Sequence, residues 1–397
     1  KFVKKMEQLG LRTEKGFAIT GVKAYLNEDK KENASLALLG ELDALRIPEH
    51  AFANPETNAA HCCGHHAQMA GVFGAALALT VPEIAEKLDG QVVFFATPAE
   101  EYGEIEFKNQ LREQGKIRYG GGKCELLRIG AFDDIDLCLT HHIRPGNEIL
   151  VGSGTGNGFV SKVIRVLGKA SHAAGAPEKG VNALSAASLG LQALGLNRET
   201  FRDEDCVRVH PIITKGGNLV NVIPDEVVVE TLVRGKTIEA FTDAAKKTDR
   251  SFKAGAIAMG AKVEISTLPG YLPTLAEEAL PELKHAAEIS ASGIPVIEAS
   301  GHAGGSTDVG DVQHLMPVYT FNTGGVKGGL HQIDFEVTDE EEAYIVTAKM
   351  FALAAYGLLK EKAQRSRELV DQYEPVFKNS AEYVEFMEQF DSKEIFE

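Results

Sequence analysis

The sequence predicts an α/β protein: a mixed, largely parallel sheet with helices on both faces, plus an inserted α+β domain of ferredoxin-like order. Three observations predict it. Short, wholly apolar runs recur between helical stretches, the pattern of strands buried on both faces. Beyond residue 157 the strands change character and alternate apolar with polar side chains, as one-sided sheets do. The chain has 397 residues, more than one core commonly serves, so two domains are expected.

Taken in order, the chain opens in a helical pattern (KFVKKMEQLG) without an initiator Met, so residues upstream are expected to be missing. Residues 35–40 (SLALLG), 91–97 (QVVFFAT) and 135–140 (IDLCLT) read as buried strands, and 66–80 as a buried helix rich in Ala and Gly. The glycines of GSGTGNG (152–158) mark a flexible joint. After it come strands at 160–167, 226–233 and 261–267, with helices at 181–196 and 238–259, an order compatible with a small α+β domain. Residues 270–273 return the chain to the first domain, which adds strands at 295–299 and 317–322 and a helix from 338 to about 359. The expected division is 1–156 with 270–397 for the main domain, and 157–269 for the insert. Residues 360–397 read as a charged, mostly helical surface extension without chemistry.

Lys and Arg number 41 against 57 Asp and Glu, a formal charge of −16. That balance disfavours nucleic acid and anionic membranes as partners. Five cysteines in a long chain do not make a disulfide framework, which points to a reducing cytoplasm. The longest apolar stretch, 69–81, is too short to cross a bilayer.

Four clusters carry candidate chemistry, and each falls at the end of a predicted strand or the entrance of a helix, where open α/β sheets place ligands. In AHCCGHH (60–66), Cys63 and His65 flank Gly64, whose turn lets thiolate and imidazole face one borderline metal. In TPAEEY (97–102), one of the paired carboxylates, Glu100 and Glu101, can bind a metal while the other moves a proton. His141 and His142 end the IDLCLT strand, and either can be a ligand. His331 follows a glycine-rich turn. Each cluster alone has a plainer reading, as a buried thiol, a solvated acidic loop or a loop histidine; the four together favour a shared metal site. Other chemistries fit less well. GSGTGNG lacks the G-x-G-x-x-G spacing of dinucleotide sites, and there is no G-x-S-x-G of a serine hydrolase.

These pieces, with GELDALRIP (40–48), GKASHAA (168–174), GGNLVNVIPD (216–225), VRG (233–235), GGSTDVGDV (304–312) and GLHQIDF (329–335), run in the order of a known family. They resemble the metallo-aminoacylase and carboxypeptidase superfamily, in the branch of aminobenzoyl-glutamate hydrolase. The resemblance implies hydrolysis of a C–N amide bond in a small N-acyl amino acid, aminobenzoyl-glutamate-like or dipeptide substrate with a free carboxylate. It implies two divalent ions per chain (Zn, Mn, Co or Ni), held by Cys63, His65, Glu101, His142 and His331. His142 is preferred to His141 because Pro145 follows it at the family's spacing. Glu100 would be the base toward a metal-activated water. His172 would reach the substrate across a homodimer interface formed by the inserted domain. Asn221 and Arg234 would face the substrate carboxylate, and Asp43 would orient a ligand from behind. His66 stands where the family usually has Asp or Asn. It is expected to touch the ligands' surroundings, and it is the feature that keeps a single-metal or inactive binding protein as the alternative.

Overall fold

The computed structural model describes residues 1–291 and 293–397. The first part of the chain forms strands β1 (Arg12–Phe17), β2 (Gly21–Leu26) and β3 (Ser35–Glu41), helix α1 (His65–Leu79), strand β4 (Gln91–Thr97), helix α2 (Ile105–Glu113), and strands β5 (Leu137–Ile143) and β6 (Ile149–Val151). The middle forms β7 (Gly158–Leu167), α3 (Ala183–Asn197), β8 (Glu226–Gly235), α4 (Ile238–Met259) and β9 (Lys262–Tyr271). The remainder forms β10 (Val296–Glu298), β11 (Val318–Thr323), α5 (Thr347–Gln372), α6 (Ser380–Glu388) and β12 (Ser392–Phe396).

The first sheet has the order β1-β2-β4-β3-β5-β11-β6-β10. Its four central strands, β4, β3, β5 and β11, run parallel. The apolar runs in β3 and β4 are buried at every residue, as strands covered on both faces must be. One face packs Leu36, Leu38, Phe94 and Leu139 against Val72 and Ala76 of α1 and Phe351 and Leu358 of α5. The other sets Ala37, Leu39, Val93 and Phe95 against Leu126 and Leu127 of the short helix Gly122–Arg128.

The second sheet is antiparallel and contains the run β8-β7-β9-β12, in which β12 is the edge strand. β8 alternates buried and half-buried residues along its whole length. Helices α3 and α4 cover one side, and α4 starts at a side-chain cap from Thr237 to the Ala240 amide.

Residues 360–397 are largely helical, as the sequence suggested, but they are not a surface extension. Helix α5 breaks at Lys360–Ala363, α6 buries Tyr383 and Met387, and β12 pairs with β9. The short, charged β12 sequence carries little β signal of its own. Its register is set by the partner strand and by pairs such as Lys393–Glu264 and Lys262–Glu397. By length and composition the helical stretch 341–372 could cross a bilayer, but here it is a core helix, more than half buried in its most apolar window.

Candidate metal centre

The candidate residues meet at the carboxyl ends of the four parallel strands. β3 leads to Glu41 and Asp43, β4 to Glu100 and Glu101, β5 carries His142, and the loop after β11 presents His331. Cys63 and His65 stand at the amino end of α1. Gly64 between them has φ +86°, and a side-chain carbon there would overlap Ile143 Cγ2. Only glycine makes that turn in that space. His331 holds a left-handed backbone (φ +65°), fixed by its amide donating to the Cys62 carbonyl at 2.9 Å; such a conformation in a non-glycine residue is commonly kept where a side chain must be aimed.

Two three-residue groups share Cys63. Cys63, His65 and His142 offer one ligand atom each within 4.8 Å of one another, and so do Cys63, Glu101 and His331. Cys63 Sγ lies 3.4 Å from His142 Nε2 and 3.2 Å from His331 Nε2. Glu101 Oε1 lies 2.9 Å from His331 Nε2. His142, not His141, is the strand-end histidine that reaches the cluster. His141 points to the opposite face, where its Nε2 meets Thr323 Oγ1 at 2.8 Å against Phe321 and Phe351.

The donor set fits a pair of divalent ions. His65 Nε2 and Glu101 Oε1 are buried and make no well-aligned hydrogen bond, although Glu41 Oε2 and His331 Nε2 lie 3.2 and 2.9 Å from them, a costly state for polar atoms unless a ligand completes them. Burial pushes the Cys63 thiol up to about 12, so a bound cation would have to displace its proton. Burial works against a charged His65, but the carboxylates of Glu41 and Asp43 outweigh it and raise the imidazole. Asp43 serves two neighbours: Oδ1 lies 3.2 Å from His65 Nδ1, and Oδ2 accepts from the Glu101 amide at 2.8 Å. It therefore fixes the ring of one cluster member and the backbone of another. Glu100 is raised well above the usual carboxylate range by burial and by the charges of Glu41 and Asp308.

A buried ion network beside Glu100 was not singled out from the sequence. Lys123 Nζ bonds Glu41 Oε1 at 2.5 Å and Asp308 Oδ1 at 2.6 Å. Glu41, Glu100 and Asp308 bring carboxylate oxygens within 4.8 Å of one another. The single ammonium offsets part of the charge of these three carboxylates. Glu41 Oε2 also lies 3.2 Å from His65 Nε2. The available signal was position: Glu41 ends a buried strand, and Asp308 sits inside the GGSTDVGDV motif.

The other candidates are spread out. Arg234, near the end of β8, lines the same cavity of about 620 Å3 as Cys63, Glu100, His142 and His331. Its guanidinium has no carboxylate within 4.0 Å among the described residues. His172 and Asn221 lie outside that cavity, on adjoining loops of the second domain, where the Ala173 amide donates to the Asn221 carbonyl. Both are exposed. His66 turns toward His61 and Tyr344, with ring centroids at 5.7 and 6.0 Å, and burial draws it down to about 4. Among the described residues it makes no hydrogen bond to the clustered side chains, so the departure seen in the sequence does not enter the ligand set.

The model of peptidase family M20/M25/M40 matches residues 37–356. The Xaa-Arg dipeptidase of Mus musculus is 28% identical over 76% of this chain and 64% of its own. A p-aminobenzoyl-glutamate hydrolase polypeptide of Escherichia coli (strain K12) is 30% identical over 58% of this chain and 44% of its own. The chain thus spans less than two thirds of the length of these relatives. A dinuclear metal-binding M20 peptidase of Bacillus subtilis has the same fold, with TM-score 0.61, 23% identity and 90% of each chain covered.

Proposed function

The chain belongs to peptidase family M20/M25/M40, and from that premise we propose that it hydrolyses the C–N amide bond of a small N-acyl amino acid, aminobenzoyl-glutamate-like or dipeptide substrate. The observation that carries the reading is the pair of three-residue groups sharing Cys63, with Glu100 beside them. Cys63, His65 and His142 would hold one divalent ion (Zn, Mn, Co or Ni), and Cys63, Glu101 and His331 a second. Bound there, the ions supply Lewis acidity toward the amide carbonyl and lower the pKa of water.

The chain's own side chains do the rest. Glu100 is next to Glu101 and outside the two groups that share Cys63, although it also stands within 4.8 Å of ligand atoms of His65 and Glu101; in this reading its carboxylate takes a proton from water and delivers it to the leaving nitrogen. A raised pKa suits a group that must hold that proton between the two steps. Arg234, desolvated and without an acidic partner, receives the substrate carboxylate. His172 and Asn221 act in a homodimer through the second domain, reaching the neighbouring copy's cavity. Supporting this are Leu219 and Val220 beside them, 64% and 104% exposed, apolar side chains of the kind an interface covers.

Metal analysis and Glu100→Gln test the proposal together. About two metal equivalents per chain are expected, and Glu100→Gln should lose several orders of magnitude in kcat while keeping its metal. Undiminished turnover by Glu100→Gln would remove the glutamate from this role.

A further inference from the structure

A second cavity, of about 530 Å3, is lined by Asp43 and Glu101 but by none of Cys63, His65, His142 and His331. Its volume is within the range of small-molecule sites, about 300–1,000 Å3. Its walls are mostly apolar, with Leu42, Leu45, Ala99, Phe107 and Leu111 among them. Lys108 reaches into it from α2. Its ammonium sits 4.8 Å over the Tyr102 ring and donates to the Glu101 carbonyl at 2.6 Å.

The charges lining this cavity do not balance. Asp43 is engaged by His65 and the Glu101 amide, Glu101 by His331, and Glu125 by Arg128 and two backbone amides. Of the remaining lining charges, Arg46, Lys108 and Lys116 have no carboxylate, and Glu104 no cation, within 4.0 Å among the described residues, which leaves three cations to one carboxylate. A partly buried ammonium in an apolar cavity is best completed by an anion.

The backbone around the cavity is also held in uncommon conformations. Ala18 and Ile19, in the three-residue turn between β1 and β2, are left-handed (φ +43° and +77°), a conformation that non-glycine residues seldom take. Ala99 and Glu104 are left-handed as well (φ +54° and +51°). Such strain in bulky residues persists where the surroundings fix a site.

We propose that this cavity is a second ligand site, which takes a small carboxylic acid with an apolar body and pairs its carboxylate with Lys108. The acid's tail lies along Leu42, Leu45 and Leu111. Because the same ammonium bonds the Glu101 carbonyl, the site touches the metal cluster from behind, through backbone and not through the substrate cavity.

Octanoate is the probe, titrated calorimetrically into the full-length, metal-loaded chain, with octan-1-ol as its uncharged counterpart. Octanoate should bind, and octan-1-ol at least about tenfold more weakly. Lys108→Met should weaken octanoate by about the same factor, and Leu111→Trp, which fills the cavity and leaves Lys108 in place, should abolish binding even if Lys108→Met does not fold. Arg234→Met, which alters the substrate cavity, should change the affinity less than about twofold. The proposal is overturned by no binding, by equal binding of octan-1-ol, or by loss in Arg234→Met with retention in Lys108→Met and Leu111→Trp. Turnover plays no part in the readout, so these outcomes leave the hydrolase proposal separately testable.

Discussion

Lys123 and Asp308 form an ion pair of 2.6 Å in which neither side chain is exposed to solvent. Glu41, on the ammonium's other side, is 3% exposed. Removing the cation leaves two buried carboxylates uncompensated. Lys123→Met should therefore lose about 3–5 kcal/mol of stability, measured by urea denaturation. A loss below about 1 kcal/mol would mean that water or relaxation replaces the lysine.

Gly64 is the hinge of the Cys63–His65 pair, with φ +86° and Ile143 against its α-carbon. Gly64→Ala introduces both a left-handed alanine and a steric overlap. It should cost about 1–3 kcal/mol in stability and weaken metal binding by about tenfold or more, read by metal titration of the purified protein. Unchanged metal affinity would show that the pair tolerates a shift of the turn.

Asp311 gives a pH signature away from the ligand cluster. Burial pushes its carboxyl up to about 8, although it accepts from Tyr383 Oη at 2.8 Å and from the Leu272 amide at 3.1 Å. The folded value lies above the unfolded one, so the native state holds the proton more tightly. The stability this proton contributes is complete below about pH 4 and is lost as pH rises toward about 8. Asp311→Asn should flatten the decline in unfolding free energy over that window, and a parallel decline in both proteins would assign it to other groups.

The exposed Leu219–Val220 pair next to Asn221 predicts an assembly phenotype. Val220→Asp places a charge on the proposed dimer surface and should shift the protein toward monomer in sedimentation velocity. If His172 acts across that interface, kcat should fall with the dimer fraction, while metal content stays unchanged. A fully active monomer would confine the site to one chain.

Much of this arrangement was legible in the sequence. Short runs rich in β-branched and aromatic residues, such as QVVFFAT, mark strands buried on both faces, and the strand-end rule brings the four clusters to one sheet edge, whereas the choice of Glu101 and His142 as ligands over Glu100 and His141 came from the family resemblance. Alternation along β5 sends adjacent His141 and His142 to opposite faces, which explains why two like residues have different fates. The Glu41–Lys123–Asp308 network was not legible. A buried lysine has no local pattern; it becomes intelligible only when residues 82 and 185 positions away along the chain are brought to it. His66 drew notice because it departs from the family's Asp or Asn; one step along a helix from His65 rotates a side chain by about 100°, and His66 faces His61. The charged β12 segment took its structure from β9 and not from its own propensity.

The pairing of β12 with β9 has a practical consequence for dissecting the molecule. A fragment limited to residues 158–271 would keep β7, β8 and β9 but leave β9 with an unpaired row of amides and carbonyls over Val263–Thr267. Bare edges of this kind recruit strands from other molecules. Excising the second domain without residues 392–396 would therefore yield a self-associating fragment, and its assembly state would report the cut and not the native interface.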